Sequence, residues 1–330
     1  MDKVKLSIVI HTEEEFDWSG GFNRQNDNVT HGAELTRLCE HILLNGQCIT
    51  FAMDWAFVNS TEGVRLIRSM QDKHADKVEF ATHLHPWVNP PYDEQADQHS
   101  EHAKNIEEFL SYPGNLPAPV EKEKLKCLTD KIHAITGKRP TTYLAGRYGV
   151  GDNTYKILKQ LGYETDVSIS PFADFSHQDG PDFSSYNNQP IIIDGIECIP
   201  HSTGYISYFN KLSDWLNTDP SHLPKLNNNP IGKALLRVFG VKKVRLSPEG
   251  FDTSQMLTLA KSLTRIGVKH LIYSFHSSSS KTGGSPYSSD VASNSEFIAQ
   301  TLASLKALSK VSYPTTLEPK ACATDKKLGR

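Results

Sequence analysis

The chain has 330 residues, with 35 Lys and Arg against 38 Asp and Glu, a formal charge of −3. With 38% hydrophobic and 22% charged residues, its composition is that of a globular protein and excludes a disordered one. No arm or face is conspicuously basic, so nothing points to a nucleic acid as partner.

By length alone two domains could be expected, but α/β barrels run to ~200–250 residues as one domain and more with inserted loops. No linker-like stretch divides the chain, which reads as a single domain over 1–330, with its core over about 4–310 and a loosely held tail over about 314–330. Five cysteines (Cys39, Cys48, Cys127, Cys198, Cys322) are scattered without a CxxC pair and read as reduced thiols. The start, MDKVKLSIVI, enters a run of strand length without the features of a signal peptide, and no run approaches the ~18 apolar residues of a membrane span. A cytoplasmic location is the expectation.

Strands and helices alternate along the chain. VKLSIVI (4–10) reads as a buried strand, and a helix follows over 31–44 with Gly46 past its end. CITFAM (48–53) is a second strand, 61–70 a helix, and 78–82 a third strand running into HLHPW. The stretch 86–119 is rich in Pro and loops around one short helix near 101–110. A helix over 122–136, a strand over 141–144 and a helix over 153–161 come next, the last capped by Asp152 and stopped by Gly162. Strands follow near 165–169, 191–194 and 196–200, and residues 206–250, rich in Asn and Pro, read as irregular. A helix over 254–266, a strand over 268–275, the loop SSSSKTGGSPYSSD and a helix over 294–308 complete the pattern, which calls for a β/α barrel or a doubly wound sheet.

Polar residues gather where strands end, the face on which parallel α/β folds build their sites. Strand one ends in HTEEEFDW, strand three in THLHPW, a later one in LAGRYG and the last in SFHS. His83 and His85, two residues apart on extended chain, leave the same face and can hold a divalent ion together with one carboxylate. His11, Glu13 and Glu15 alternate onto one face and Thr12 and Glu14 onto the other. Asp54 reads as a strand-end cap or a partner of the site. Trp18, Trp55 and Trp87 read as packing or sugar-stacking rings, Arg245 as a weak substrate contact, and the Ser/Gly loop 277–289 as a lid or a plain surface loop.

In this order HTEEEFDW, THLHPW, LAGRYGVGDNTYKILKQLGY and FHSSSS…GGSPY resemble the NodB-type polysaccharide deacetylases, carbohydrate esterase family four. The likeness is to the branch with a Glu-rich first motif and HxHPW, and it runs from about residue 5 to about residue 308. It implies a distorted β/α barrel of about seven strands and a divalent metal, zinc or else cobalt or nickel, that serves to remove acetyl groups from N-acetylated sugars. It further implies His83 and His85 as metal imidazoles and Glu13 as third ligand, with the register of Glu13 as base and Glu14 as ligand left open. A base from the first motif, His11 or the neighbouring Glu14, would take the water proton. His276 would be the general acid, and Arg147 would orient the base or the substrate.

Two positions depart from the branch. His11 stands where an aspartate base is usual, and Leu144 where its arginine partner is expected; the histidine can itself serve as a general base or equally as a third metal imidazole. The expectations are therefore an acetyl hydrolase acting on a saccharide, a noncatalytic metal- or glycan-binding barrel, or a hydrolase of small amides on the same scaffold.

Overall fold

The computed structural model describes residues 3–17, 19–92 and 106–318. Its strands are β1 (Val4–Thr12), β2 (Ile49–Met53), β3 (Val78–Leu84), β4 (Thr142–Ala145), β5 (Thr165–Asp166), β6 (Ile191–Ile193), β7 (Ile196–Cys198), β8 (Thr203–Ile206), β9 (Lys242–Arg245), β10 (His270–His276) and β11 (Ser312–Pro314). Seven of them, in the spatial order β10-β1-β2-β3-β4-β5-β7, are parallel to their neighbours; β6 turns back antiparallel on β7, and β11 joins the start of β1.

The two free sides meet through single hydrogen bonds in place of a ladder. Past β7 the His201 amide bonds Ile169 O, and Leu246 then bridges, donating to Ser202 O and accepting from the amide of Ser274 in β10. The fold is mixed α/β with a largely parallel sheet curled into a distorted barrel, as the alternation of elements led one to expect.

Period two along each strand sorts side chains between lumen and outer wall. Leu6, Ile8 and Ile10 of β1 face outward into the main core, against Leu35, Leu38 and Ile42 of the helix Gly32–Leu44 and Leu259 and Leu263 of the helix Thr253–Arg265. The lumen holds Val9, Ala52, Ala81, Leu144, Val167, Ile199 and Ile272, one from each of the seven strands or its direct extension. These fill it as the layers of a barrel do, so the lumen is core and the site lies above it, at the strands' carboxyl ends. At the opposite end the buried Glu79 carboxylate accepts from the Thr50 and Thr142 hydroxyls and from the backbone amides of Leu317 and Glu318. The chain past Pro314 is thus pinned beneath the barrel as far as Glu318, a correction to the loose tail expected from 314; residues 319–330 lie outside the described ones.

Other departures have local causes. The helix Thr154–Leu161 starts from Asn153, not Asp152, and is tied by the Thr154 hydroxyl, which accepts from the Gly151 amide. The stretch 206–250 is not irregular: it holds the hairpin β8–β9 and the helices Asn210–Thr218, His222–Asn227 and Pro230–Val238. Pro230, which reads as a breaker, occupies the first helical turn, where a missing N–H costs nothing. Of the expected helix near 101–110, residues 106–110 are helical and the rest lies outside the described residues. The four described cysteines are free thiols, and among the described residues no helix is long and apolar enough to cross a membrane.

Candidate active site

The site grows from the ends of β1 and β3. β3 runs two residues further than its pattern suggested, to Leu84, so His83 belongs to the strand and His85 follows just beyond it. The His83 ring donates from Nδ1 to Leu144 O at 3.0 Å, and His85 Nδ1 lies 2.9 Å from a Glu14 carboxylate oxygen. With each Nδ1 committed, both Nε2 atoms are turned to Glu13 Oε2, at 3.0 Å from His83 and 3.4 Å from His85. Acceptors at Nδ1 select the tautomer whose Nε2 lone pair can bind a metal. Among the described residues, the sets whose donor atoms lie close enough together to share one divalent ion are His11, Glu13 and His83, and Glu14, Asp54 and His85, so Glu13 and His83 stand in one and His85 in the other.

Past Thr12 the strand alternation of the first motif breaks down, and its three glutamates part company. Glu13 enters the cleft. Glu14 is 1% exposed and lies behind His85, where it also accepts from Trp87 Nε1 at 3.0 Å, so it does not line the cleft as a base would. Its neighbour Asp54 does both things expected of it: Oδ1 caps the short helix Trp55–Asn59 through the Phe57 amide, and Oδ2 lies 3.8 Å from His85 Nδ1. Burial, with the Glu13 charge nearby and partly offset by a hydrogen bond with Asp54, pushes Glu14 up to about 7, and burial with Glu14 alongside pushes Asp54 well above the usual carboxylate range.

Glu15, expected on the face of His11 and Glu13, turns away to Thr30 and His31. His31 Nδ1 lies 3.1 Å from Glu15 and its Nε2 lies 2.9 Å from Ser277 Oγ, the outline of a Ser-His-Glu triad. Ser277 is wholly buried, however, and accepts from the Glu13 amide at 3.1 Å. The chain Glu15–His31–Ser277 is a brace for the Glu13 backbone and offers no nucleophile to a substrate.

Above the lumen three histidines surround His11. Its ring is 5.3 Å from His83, 5.4 Å from His201 and 4.7 Å from His276, and its Nε2 meets His201 Nε2 at 3.3 Å. Burial first, then the neighbouring His276, His83, His201 and Arg245, hold the pKa of His11 well below the ordinary imidazole value. Burial and Arg245 bring His201 down to about 3. His276 goes the other way. Burial opposes its charge, but the carboxylates of Glu249, 2.9 Å from Nδ1, and Glu13 outweigh that and raise it to about 9. Its side chain stays 39% exposed at the mouth of the site.

His201 and Glu249 were not foreseen. Pro200 made the strand reading stop one residue short, although Ile199 and His201 keep the period-two face; Glu249 sat in the stretch read as irregular.

The motif LAGRYG bends sharply. Arg147 and Tyr148 take positive φ (54° and 60°), and Gly146 lies where a Cβ would come within 2.4 Å of Leu84 O. The bend carries Tyr148 inward, where its hydroxyl accepts from Arg245 at 2.7 Å, and leaves Arg147 on the rim. Arg147 bonds Ser111 and Gln178 and lies over the rings of Tyr112 and Phe22, so it does not orient a base; it lines the cleft, where a substrate can meet it. Leu144 packs in the apolar lumen, and His11 finds its partner in His201 instead.

The cleft is a cavity of about 130 Å³ between these groups and the aromatic wall Phe16, Phe22 and Trp87, and it adjoins a groove of about 710 Å³ along Asn28, Glu249 and Tyr287. Trp87 stacks on His85 at 4.3 Å, whereas Trp55 packs against the main core and Trp18 lies outside the described residues. In the Ser/Gly loop, Ser277 to Ser280 are buried beneath the groove.

No model of a known protein family matches the sequence, and no curated protein matches it. Among solved structures, 4-alpha-glucanotransferase from Thermococcus litoralis matches with a TM-score of 0.51 at 11% identity, over 96% of this chain and 40% of that one. A protein of Mycobacterium smegmatis assigned as a polysaccharide deacetylase matches at 0.46 and 13%, over 97% and 96% of the two chains. Chitin deacetylase from the fungal pathogen Colletotrichum lindemuthianum matches at 0.43 and 12%, over 96% and 88%. At such identities the likeness is one of fold: this chain is a mixed α/β distorted barrel carrying candidate His, Glu and Asp metal-binding groups.

Proposed function

We propose that the protein is a metal-dependent hydrolase that removes an acetyl group from an N-acetylated saccharide or a precursor of a surface polysaccharide. One observation carries the reading: His83 and His85 are each held by Nδ1 and converge through Nε2 on Glu13, at the floor of a cleft whose far wall is His276. The ordered motifs that resemble the NodB-type deacetylases agree with it.

Glu13, His83 and His85 would hold a divalent ion, zinc being the best match to two imidazoles and a carboxylate. Such an ion, when bound, polarises an acyl carbonyl and makes its water acidic. His11, kept neutral by burial and by its cationic neighbours, accepts the proton of the attacking water, and His201 at 3.3 Å holds its ring in place. The hydroxide adds to the amide carbon, the C–N bond breaks, and the nitrogen takes a proton from His276, which Glu249 keeps cationic with Nδ1–H engaged. The products are acetate and a free amine. Two histidines whose environments push their proton affinities apart are a natural base and acid. Phe16, Phe22 and Trp87 offer a flat apolar wall to a sugar ring, and the small cavity admits an acetyl-sized group.

A second reading, binding of metal or glycan without turnover, is favoured by His11 and Leu144. The base position has neither a carboxylate nor an arginine partner, and Leu144 is sealed in the lumen. The deciding experiment is elemental analysis of the wild type beside His83→Ala/His85→Ala, followed by acetate release from N-acetylated oligosaccharides with and without His276→Ala. Near-stoichiometric metal lost in the double variant, with turnover lost in His276→Ala, is the expected result. Metal without turnover selects the binding barrel, and no metal after reconstitution ends the hydrolase and leaves the noncatalytic glycan-binding barrel.

A further inference from the structure

Between β8 and β9 the barrel extends an insertion, residues 207–241, whose last helix, Pro230–Val238, is built against its neighbour at very short range. Asn229 Oδ1 caps it through the Gly232 amide at 2.7 Å, and a Cβ on Gly232 would come within 1.9 Å of Leu226 O. Its inner side, Leu236 and Phe239, is half-buried, with Phe239 edge-on to Phe209 at 5.0 Å. The outer face is therefore a deliberate surface of a close-packed element.

That face is apolar. Ile231, Leu235 and Val238, at helical spacings of four and three, are 75%, 41% and 70% exposed, and Tyr208 beside them is 79% exposed. Scattered exposed aliphatics are ordinary, but an aligned row on one amphipathic helix is not. Around the row stand Lys225, Lys233, Arg237 and Lys242, all exposed, and none forms an ion pair among the described residues. From Pro220 to Pro248 the chain has no Asp or Glu, although acidic residues outnumber basic ones over the whole protein.

We propose that this insertion docks on an anionic lipid surface, with Ile231, Leu235 and Val238 entering the headgroup boundary and the flanking cations meeting lipid phosphates. Basic charge on the polar side of a helix with an aliphatic row is the pattern of an interfacial helix, and long cationic side chains can lie over the aliphatic row while their heads stay wet. A second copy of the chain is the poorer occupant, because a two-fold contact would set the same cations against each other. The insertion is also tied to the site at both ends. It leaves the barrel just after His201 and returns through Arg245, which bonds Tyr148 in the cleft. Docking there would bring the cleft's rim close to a saccharide attached to lipid, though the docking itself stands whether or not the barrel is a hydrolase.

Flotation of the full chain with vesicles of phosphatidylcholine, alone or mixed with phosphatidylglycerol, tests this. The wild type should bind the mixed vesicles at least tenfold more than the neutral ones at low salt, and lose that preference at high salt. Ile231→Ser/Leu235→Ser/Val238→Ser should cut binding at least tenfold at unchanged Tm, and Lys233→Glu/Arg237→Glu should abolish the preference for anionic lipid. Equal binding to both vesicle types, no binding, or full binding by the triple serine variant would overturn the proposal. So would concentration-dependent dimers that the triple variant dissolves while vesicles are ignored.

Discussion

Glu14→Gln is the sharpest probe of the metal centre, because it changes one proton and almost no volume. The Glu14 carboxylate accepts from two donors at once, Trp87 Nε1 at 3.0 Å and His85 Nδ1 at 2.9 Å. A glutamine has one acceptor oxygen. The indole can only donate, so that oxygen goes to Trp87, where it stays 3.1 Å from His85 Nδ1, and the amide NH₂ takes the nearer place at 2.9 Å. A donor at the nearer place favours the His85 tautomer with its proton on Nε2, the nitrogen aimed at Glu13, where a metal would sit. Loss of the acceptor behind a ligand histidine typically costs 10–100-fold in metal affinity, which is about 1.4–2.7 kcal/mol. Asp54 Oδ2, 3.8 Å from the same nitrogen, can recover part of this. Glu14→Gln/Asp54→Asn should therefore lose more than Glu14→Gln alone. The assay is zinc competition with a chromophoric chelator, with the His85 tautomer read from its ring ¹⁵N shifts. Zinc held by Glu14→Gln as tightly as by the wild type, with Glu13→Gln unable to hold it, would refute the tautomer argument.

Other consequences are open to measurement. In the hydrolase reading His276 is the proton donor, so turnover should fall as pH passes about 9; Glu249→Gln removes the charge that holds the imidazolium and should shift that alkaline limb downward. Lys124, fully buried, donates to the carbonyls of Pro86, Asn89 and Pro91, the turn after His85. Lys124→Met keeps the bulk, strands those oxygens and should cost about 3 kcal/mol in urea unfolding; a loss below ~1 kcal/mol would mean that water takes the ammonium's place. Burial raises Glu121 from 4.5 to about 7, partly offset by its bond to Thr154. The folded state therefore holds this proton where the unfolded chain has lost it. The contribution is intact below 4.5 and is lost as pH rises to about 7, a penalty of at most about 3 kcal/mol by proton linkage. Glu121→Gln should flatten this part of the stability profile between pH 5 and 8, and an unchanged slope would assign it to other groups.

Much of the frame was legible before any coordinates. β1 and β10 are apolar runs of strand length, and side-chain alternation puts His83 and His85 on one side of an extended chain wherever the strand goes. Local signals also marked the helix ends at Gly162 and Gly46, each in the left-handed conformation that glycine accepts. What alternation could not reach was the first motif past Thr12. There the strand ends, and Glu13, Glu14 and Glu15 go to three different partners brought from β3, from the turn after it, and from the residues before the helix Gly32–Leu44.

The remaining features belong to closure of the barrel. His201 meets His11 across 190 residues, and Glu249 meets His276 from the bend after β9, which is joined to the ring by single bonds at Ser202, Leu246 and Ser274. Periodicity is a property of neighbours in sequence, so it assigned each strand its inner face. Which inner faces confront one another, and hence whether His11 finds a carboxylate, an arginine or a second imidazole, was decided only when the ring closed.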